Sequence, residues 1–136
     1  MENKALNYLS LARKGGMAEL GEEPVGAIAR TGKAYVILVA SDASDHTWRR
    51  AKSFAAGTEQ QCVRMEATKD EMGLAIGRTS LAIAAITDVA MALALVKALP
   101  KADPQTLEVL TAKAAKAKKR QAEAKAHQRN LRKGKK

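Results

Sequence analysis

The sequence predicts an α/β protein, a three-layer α/β/α sandwich followed by a basic C-terminal segment. Three observations predict it. Helical and extended apolar periodicities alternate along the first hundred residues, and such alternation places helices on both faces of a sheet. One apolar, β-branched run, Tyr35-Val36-Ile37-Leu38-Val39-Ala40, has no polar face, so it suits a central strand covered on both sides. Charge is segregated: residues 1–100 hold 12 Lys and Arg against 11 Asp and Glu, net +1, whereas residues 101–136 hold 12 against 3, net +9.

The elements follow in order. Leu6, Leu9 and the stem of Arg13 recur at helical spacing, and Gly15-Gly16 stops that helix. Met17–Leu20 fits a short strand. Gly21-Glu22-Glu23-Pro24 reads as a helix entry: proline tolerates the first turn, and the two carboxylates complement the positive end of the helix dipole. Val25, Ile28 and Ala29 continue the helical spacing to Gly32, a residue suited to the position just past a helix end.

After the central strand, Ser41–Asp45 is a polar loop rich in N-cap candidates. The next helix, about Asp45–Ala56, directs Trp48, Ala51 and Ala55 inward and Arg49, Arg50, Lys52 and Ser53 outward. Cys62–Met65 suits another strand. Thr68 with Glu71 three residues on is a capping box opening a helix that stops at Gly77. Ala82–Ile86 is the fourth strand and Asp88–Leu99 an amphipathic helix closed by Pro100. Asp103-Pro104 then opens a segment rich in Ala, Lys, Gln and Glu. These are strong helix formers, but with little apolar stripe beyond Leu107, Leu110 and Thr111 the helix is expected at its start, fraying toward Gly134 or folding only on binding. The domain division is therefore 1–100, a compact core, and 101–136, a basic tail.

Composition narrows function. At 46% hydrophobic residues the first hundred can build a core. The most apolar stretch, Leu81–Leu99, is interrupted by Thr87 and Asp88, so no transmembrane helix is expected, and the start of the chain lacks the pattern of a signal peptide. The single cysteine, Cys62, excludes an internal disulfide, fits a reducing cytoplasm and reads as a small buried side chain. His46 and His127 have no partners at metal-ligand spacing, no serine sits in a nucleophile elbow, and no glycine-rich phosphate loop occurs. Neither an enzyme nor a metal or organic cofactor is expected. Glu22-Glu23 reads more simply as a solvated helix start than as a catalytic pair. Arg49, Arg50 and Lys52 read as a solvated helix face or as an auxiliary phosphate patch. The tail, with Lys116, Lys118, Lys119 and Arg120 at its centre, attracts polyanions. Its scarcity of large apolar residues makes a membrane surface a poor partner and nucleic acid a better one. With 3% aromatics and none in the tail, exposed base-stacking platforms are not expected, and Trp48 reads as core.

Two segments carry a resemblance. GMAELGEEPVGAIARTGKAYVILVASDAS and TKDEMGLAIGRTSLAIAAITD together resemble the kink-turn-binding ribosomal protein family, which includes the archaeal large-subunit protein L-seven-Ae. GEEPV, GKAYVILVASDAS and EMGLAIG look most like its bacterial YlxQ-like branch. The resemblance spans roughly residues 3–99. It implies a four-stranded mixed sheet between helices and binding of sharply bent RNA, through Met17–Val25 and Arg78–Ala82. The residues it implies are Gly21, Glu22, Glu23, Val25, Lys33, Arg78 and Thr79. At the family's Asn, Glu and Lys positions this chain has Glu23, Pro24 and Ala27. The expectation is thus a cytoplasmic, non-enzymatic, ribosome-associated protein whose partner is structured RNA, ribosomal RNA foremost, with no DNA specificity. The rival expectation is a protein-interaction module of the translation machinery in which the RNA site has decayed.

Overall fold

The computed structural model describes residues 3–133, with side chains through residue 128. Ten elements follow one another: α1 (Lys4–Lys14), β1 (Ala18–Leu20), α2 (Glu22–Arg30), β2 (Val36–Val39), α3 (Asp45–Ala55), β3 (Gln61–Arg64), α4 (Lys69–Ala75), β4 (Ile83–Ile86), α5 (Val89–Lys97) and α6 (Pro104–Lys133). The strands form one mixed sheet in the order β1-β4-β2-β3. β4 pairs antiparallel with both β1 and β2, and β2 pairs parallel with β3, Val36 opposite Gln61 and Val39 opposite Arg64.

Side-chain alternation along the strands divides the core in two. Val36, Leu38, Ala84, Ile86 and Val63 face α1, α4, α5 and α6, where Leu9, Met72, Leu95 and Leu110 pack on them. Ile37, Val39, Ile83 and Ala85 face α2 and α3, under Val25, Ala29 and Ala51. All four residues of β2 and of β4 are buried. This is the three-layer sandwich expected from the alternation and from the two-sided apolar run at Tyr35–Ala40.

The strands are shorter than the apolar runs that announce them, but their flanks still join the ladder. The Tyr35 N–H donates to the Ile86 carbonyl at 3.0 Å and the Ala40 N–H to the Ala82 carbonyl at 2.9 Å. α1 turns Ala5, Leu9 and Ala12 inward; Leu6 is half-buried and Arg13 lies in solvent, so the buried face is rotated from the one its larger side chains suggest. Pro24 sits in the third position of α2, where its missing N–H still costs no helical bond. Trp48 is only half-buried, because α3 lies over the β3 edge and the indole reaches the rim of the sheet rather than its centre.

The tail is helical, as expected, and forms one continuous helix, α6, of 30 residues; the departure lies in how it is rooted. Its first turns are part of the core: Leu110 is fully buried, Thr106 is 2% exposed, and Ala114 and Ala117 pack against the same cluster. Thr106 Oγ1 bonds the Gln61 side chain at 3.0 Å. Leu107, Leu110 and the alanines therefore supply an apolar stripe that the charge of the segment masks. Fraying toward Gly134 lies outside the described residues.

Candidate nucleic-acid interface

The directions of the strands give the sheet two different ends. β1, β2 and β3 finish, and β4 begins, at the end marked by Gly21, Ala40, Met65 and Ala82. α2, α3 and α4 all start there. The opposite end carries Lys33, Glu59 and Gln60.

At the first end, two loops are joined side by side. Gly21 has φ 99° and ψ 163°, a backbone conformation that a side chain would strain. Its N–H donates to the Ile83 carbonyl at 3.0 Å, tying the β1–α2 turn to the start of β4. The α4–β4 loop is held in turn by the Arg78 N–H donating to Gly73 O at 2.8 Å and the Leu81 N–H donating to Lys69 O at 3.0 Å. Gly73 permits this: a Cβ there would stand 2.5 Å from Ser80 N. The backbone thus ties the turn that carries Gly21, Glu22 and Glu23 to the first residue of β4, the strand that the Arg78–Thr79 loop leads into. Val25 differs from them. It is fully buried, so it supports the loop from below and has no surface to offer a ligand.

The helix that starts in this loop is chemically distinct. α1, α3, α4 and α5 accept side-chain caps from Asn3, Ser44, Thr68 and Asp88, and Asp103 bonds the Gln105 N–H in the first turn of α6. α2 has Gly21 at its cap and no side-chain bond. Its amides at Glu22 and Glu23 therefore face outward with the positive end of the helix dipole, an arrangement suited to an anion. The carboxylates beside them oppose that preference. One is diverted: Arg50 Nε donates to Glu22 Oε1 at 2.7 Å, drawing Glu22 toward α3. Both side chains are substantially exposed, so this pair fixes geometry more than it adds stability. Glu23, Pro24 and Ala27 are exposed. Arg78 is exposed and pairs with no carboxylate among the described residues, and the apolar Leu74, 81% exposed, stands one turn before it.

Other expected contacts lie elsewhere. Lys33 is at the far end of α2, about 13 Å away along the helix axis at 1.5 Å per residue, and does not join the Gly21 loop. Arg49 and Lys52 are exposed on α3; Arg49 Nε donates to the backbone carbonyl of Asp45 at 3.3 Å, and Arg50 is committed to Glu22. On α6, Lys113 bonds Glu59 at 2.8 Å. The Lys113 bond and charge, with Lys116 nearby, hold the Glu59 carboxyl below its ordinary range. α6 thus passes the Glu59 end as its packing ceases, and residues 118–128 are all exposed. Lys116, Lys118, Lys119 and Arg120 consequently stand at the end of the domain opposite Gly21.

Sequence reasoning missed Gln60. Its buried side chain accepts from the Ala34 N–H at 2.9 Å and donates to Ala29 O at 3.1 Å, pinning the exit of α2 to the start of β3. Nothing in the local pattern marks this residue. Gly73 was readable in part, since a glycine inside a helical pattern signals a close approach. Cys62 is half-buried rather than buried, and desolvation pushes its thiol up to about 11, opposed by Lys52 and Arg64. Among the described residues no group of three His, Cys, Asp or Glu side chains could hold a metal ion, and no helix is long and apolar enough to cross a membrane.

Solved structures share the fold. A protein of unknown function from Bacillus halodurans C superposes with a TM-score of 0.68 at 22% identity, over 74% of this chain and 100% of that one. A 15.5kD RNA binding protein from Giardia lamblia superposes with a TM-score of 0.61 at 15% identity, over 77% and 92%. No family model and no curated protein matches the sequence.

Proposed function

We propose that this chain is a non-enzymatic RNA-binding protein, a relative of the kink-turn-binding ribosomal proteins that acts on the ribosome or its assembly in the cytoplasm. The observation that carries this reading is the Gly21–Ile83 backbone bond. That bond joins the turn before an uncapped helix N-terminus to the strand that the exposed Arg78–Thr79 loop enters, and the reading takes these two segments as the grip on a bent RNA. Folded RNA is read largely by shape and by splayed bases, which suits a rigid pair of loops with few polar side chains. The RNA-binding Giardia protein of the same fold supports the reading. The exposed cations of α6 would add phosphate contacts without sequence readout, so affinity falls steeply with salt. Equilibrium binding to a kink-turn, a straight duplex and a single strand at low salt tests it. The kink-turn is preferred, and Gly21→Val lowers that preference, with thermal melting reporting separately on the strain the side chain puts on the turn. Absence of binding to all three, or equal binding to all three, refutes the reading.

One observation favours a second reading, a protein-interaction module of the translation machinery. Glu22 is spent on Arg50, and Glu23, Pro24 and Ala27 offer little to a base or phosphate. Partners retained after ribonuclease treatment of a pull-down would favour it; complete release of partners would exclude it.

A further inference from the structure

The β3 edge of the sheet carries a cation–aromatic cluster that the Gly21 loop does not use. Cys62 and Arg64 alternate with Gln61 and Val63 along β3, and so point to the face covered by α3. There the Arg64 guanidinium lies 4.7 Å from the centre of the Trp48 ring, and Lys52 Nζ lies 5.7 Å from it. Arg64 and Lys52 are exposed, and among the described residues neither pairs with a carboxylate. Arg49 is exposed one residue along from Trp48 on α3.

This geometry does more than fill a rim. A guanidinium stacked on an aromatic ring loses water from one face and is held in one plane, while the N–H groups of that plane stay free. Such a fork matches two oxygens of one phosphate, and its ordering cost has been met before a ligand arrives. Arg50 shows the contrast: its guanidinium also lies over a ring, 5.3 Å from Phe54, but its Nε is already given to Glu22. Arg64 stands opposite Val39, at the same end of the sheet as Gly21. With β1 and β3 three strand spacings apart, the two sites are separated by roughly 14 Å along one edge.

We propose that Trp48, Arg64 and Lys52 form a second RNA-backbone site, which seats a phosphate of the same bent RNA on the far side of α3 from the Gly21 loop. The proposal rests on the RNA-binding reading above and adds to it a position and a register. The half-exposed indole at the rim is then the ring against which the Arg64 guanidinium rests.

Trp48 is the only tryptophan in the chain, so its emission reports on this cluster alone. The full chain is titrated with kink-turn RNA, following tryptophan emission and, in parallel, the anisotropy of labelled RNA. The two curves are expected to share a midpoint. Arg64→Gln weakens binding about three- to tenfold and lowers the log–log salt slope by about 0.7–0.9, one phosphate contact. Arg64→Lys falls between, having charge without the fork. Trp48→Phe, which keeps an aromatic platform and avoids any cavity, retains most of the affinity. RNA binding by anisotropy with unchanged emission, and with wild-type affinity and slope in Arg64→Gln, would overturn the second site and leave the Gly21 loop standing. An equal emission response to polyglutamate would assign the cluster to acidic polypeptides instead. Absence of RNA binding by either readout would overturn both proposals.

Discussion

The two ends of this molecule meet solvent by different means. At the Gly21 end, order comes from backbone: a glycine in a left-handed conformation, a bond to Ile83 and a glycine at position 73 where no Cβ fits. Its charges are mixed, and one acidic side chain is already paired with Arg50. At the Glu59 end, the chain leaves as a helix whose residues 118–128 are all exposed. Residues 119–136 hold 8 Lys and Arg against 1 Glu, net +7. One end is shaped but nearly neutral; the other is charged but without shape. If the proposed RNA binding holds, discrimination between RNAs and attraction to RNA would be assigned to separate parts of the fold, and an RNA engaging both would extend along the domain.

The comparison breaks most readily at the root of α6. If its first turns belong to the domain, Leu110→Ala costs about 2–5 kcal/mol by urea denaturation, the range for a buried leucine. A cost under about 0.5 kcal/mol would return the whole segment to a loosely attached tail. Gly73→Ala sharpens the other end. Its methyl meets Ser80 backbone, so a loss of about 1–3 kcal/mol is expected together with a lower preference for kink-turn over duplex RNA.

Gln60→Leu gives the control at the Glu59 end. It leaves the buried Ala34 N–H without an acceptor, at about 1–3 kcal/mol, and RNA preference should not change. The smallest effect concerns Cys62. Its folded-state thiol is pushed above the ordinary 9.0 to about 11, so the folded chain keeps a proton that the unfolded chain releases. Stability from this source is complete below about pH 9 and declines as pH rises toward 11. Denaturation midpoints on either side of that window should differ in the wild type more than in Cys62→Ala.

Much of the fold was legible because local signals were unambiguous. Tyr35–Ala40 announced a two-sided central strand, and Thr68 with Glu71 forms the capping box its spacing suggested. Gly16, Gly32 and Gly77 adopt the positive φ expected of helix stops. The illegible part depends on strand order. Only the order β1-β4-β2-β3 reveals that Trp48 overhangs an edge strand and that Arg64 shares its face, whereas the separation of Lys33 from Gly21 follows from the length of α2. The buried stripe of α6 escaped reading for another reason. Alanines bury little area each, so a lysine-rich helix can pack one face without showing a strong apolar period. Of the candidate site, the two loops were visible through the resemblance, whereas Gly73 and the pairing of Glu22 with Arg50 needed three dimensions.

The division of labour is tested most directly by comparing the full chain with one ending at Lys118, each titrated with a kink-turn and a matched straight duplex across salt. The shortened chain keeps the buried part of α6, so its fold should be unchanged. It should lose affinity for both RNAs alike, with a log–log salt slope shallower by about 0.7–0.9 for every phosphate the missing segment had engaged. The ratio of kink-turn to duplex affinity should stay as it is in the full chain. A ratio that collapses to one on shortening would place discrimination in the basic helix and contradict the account.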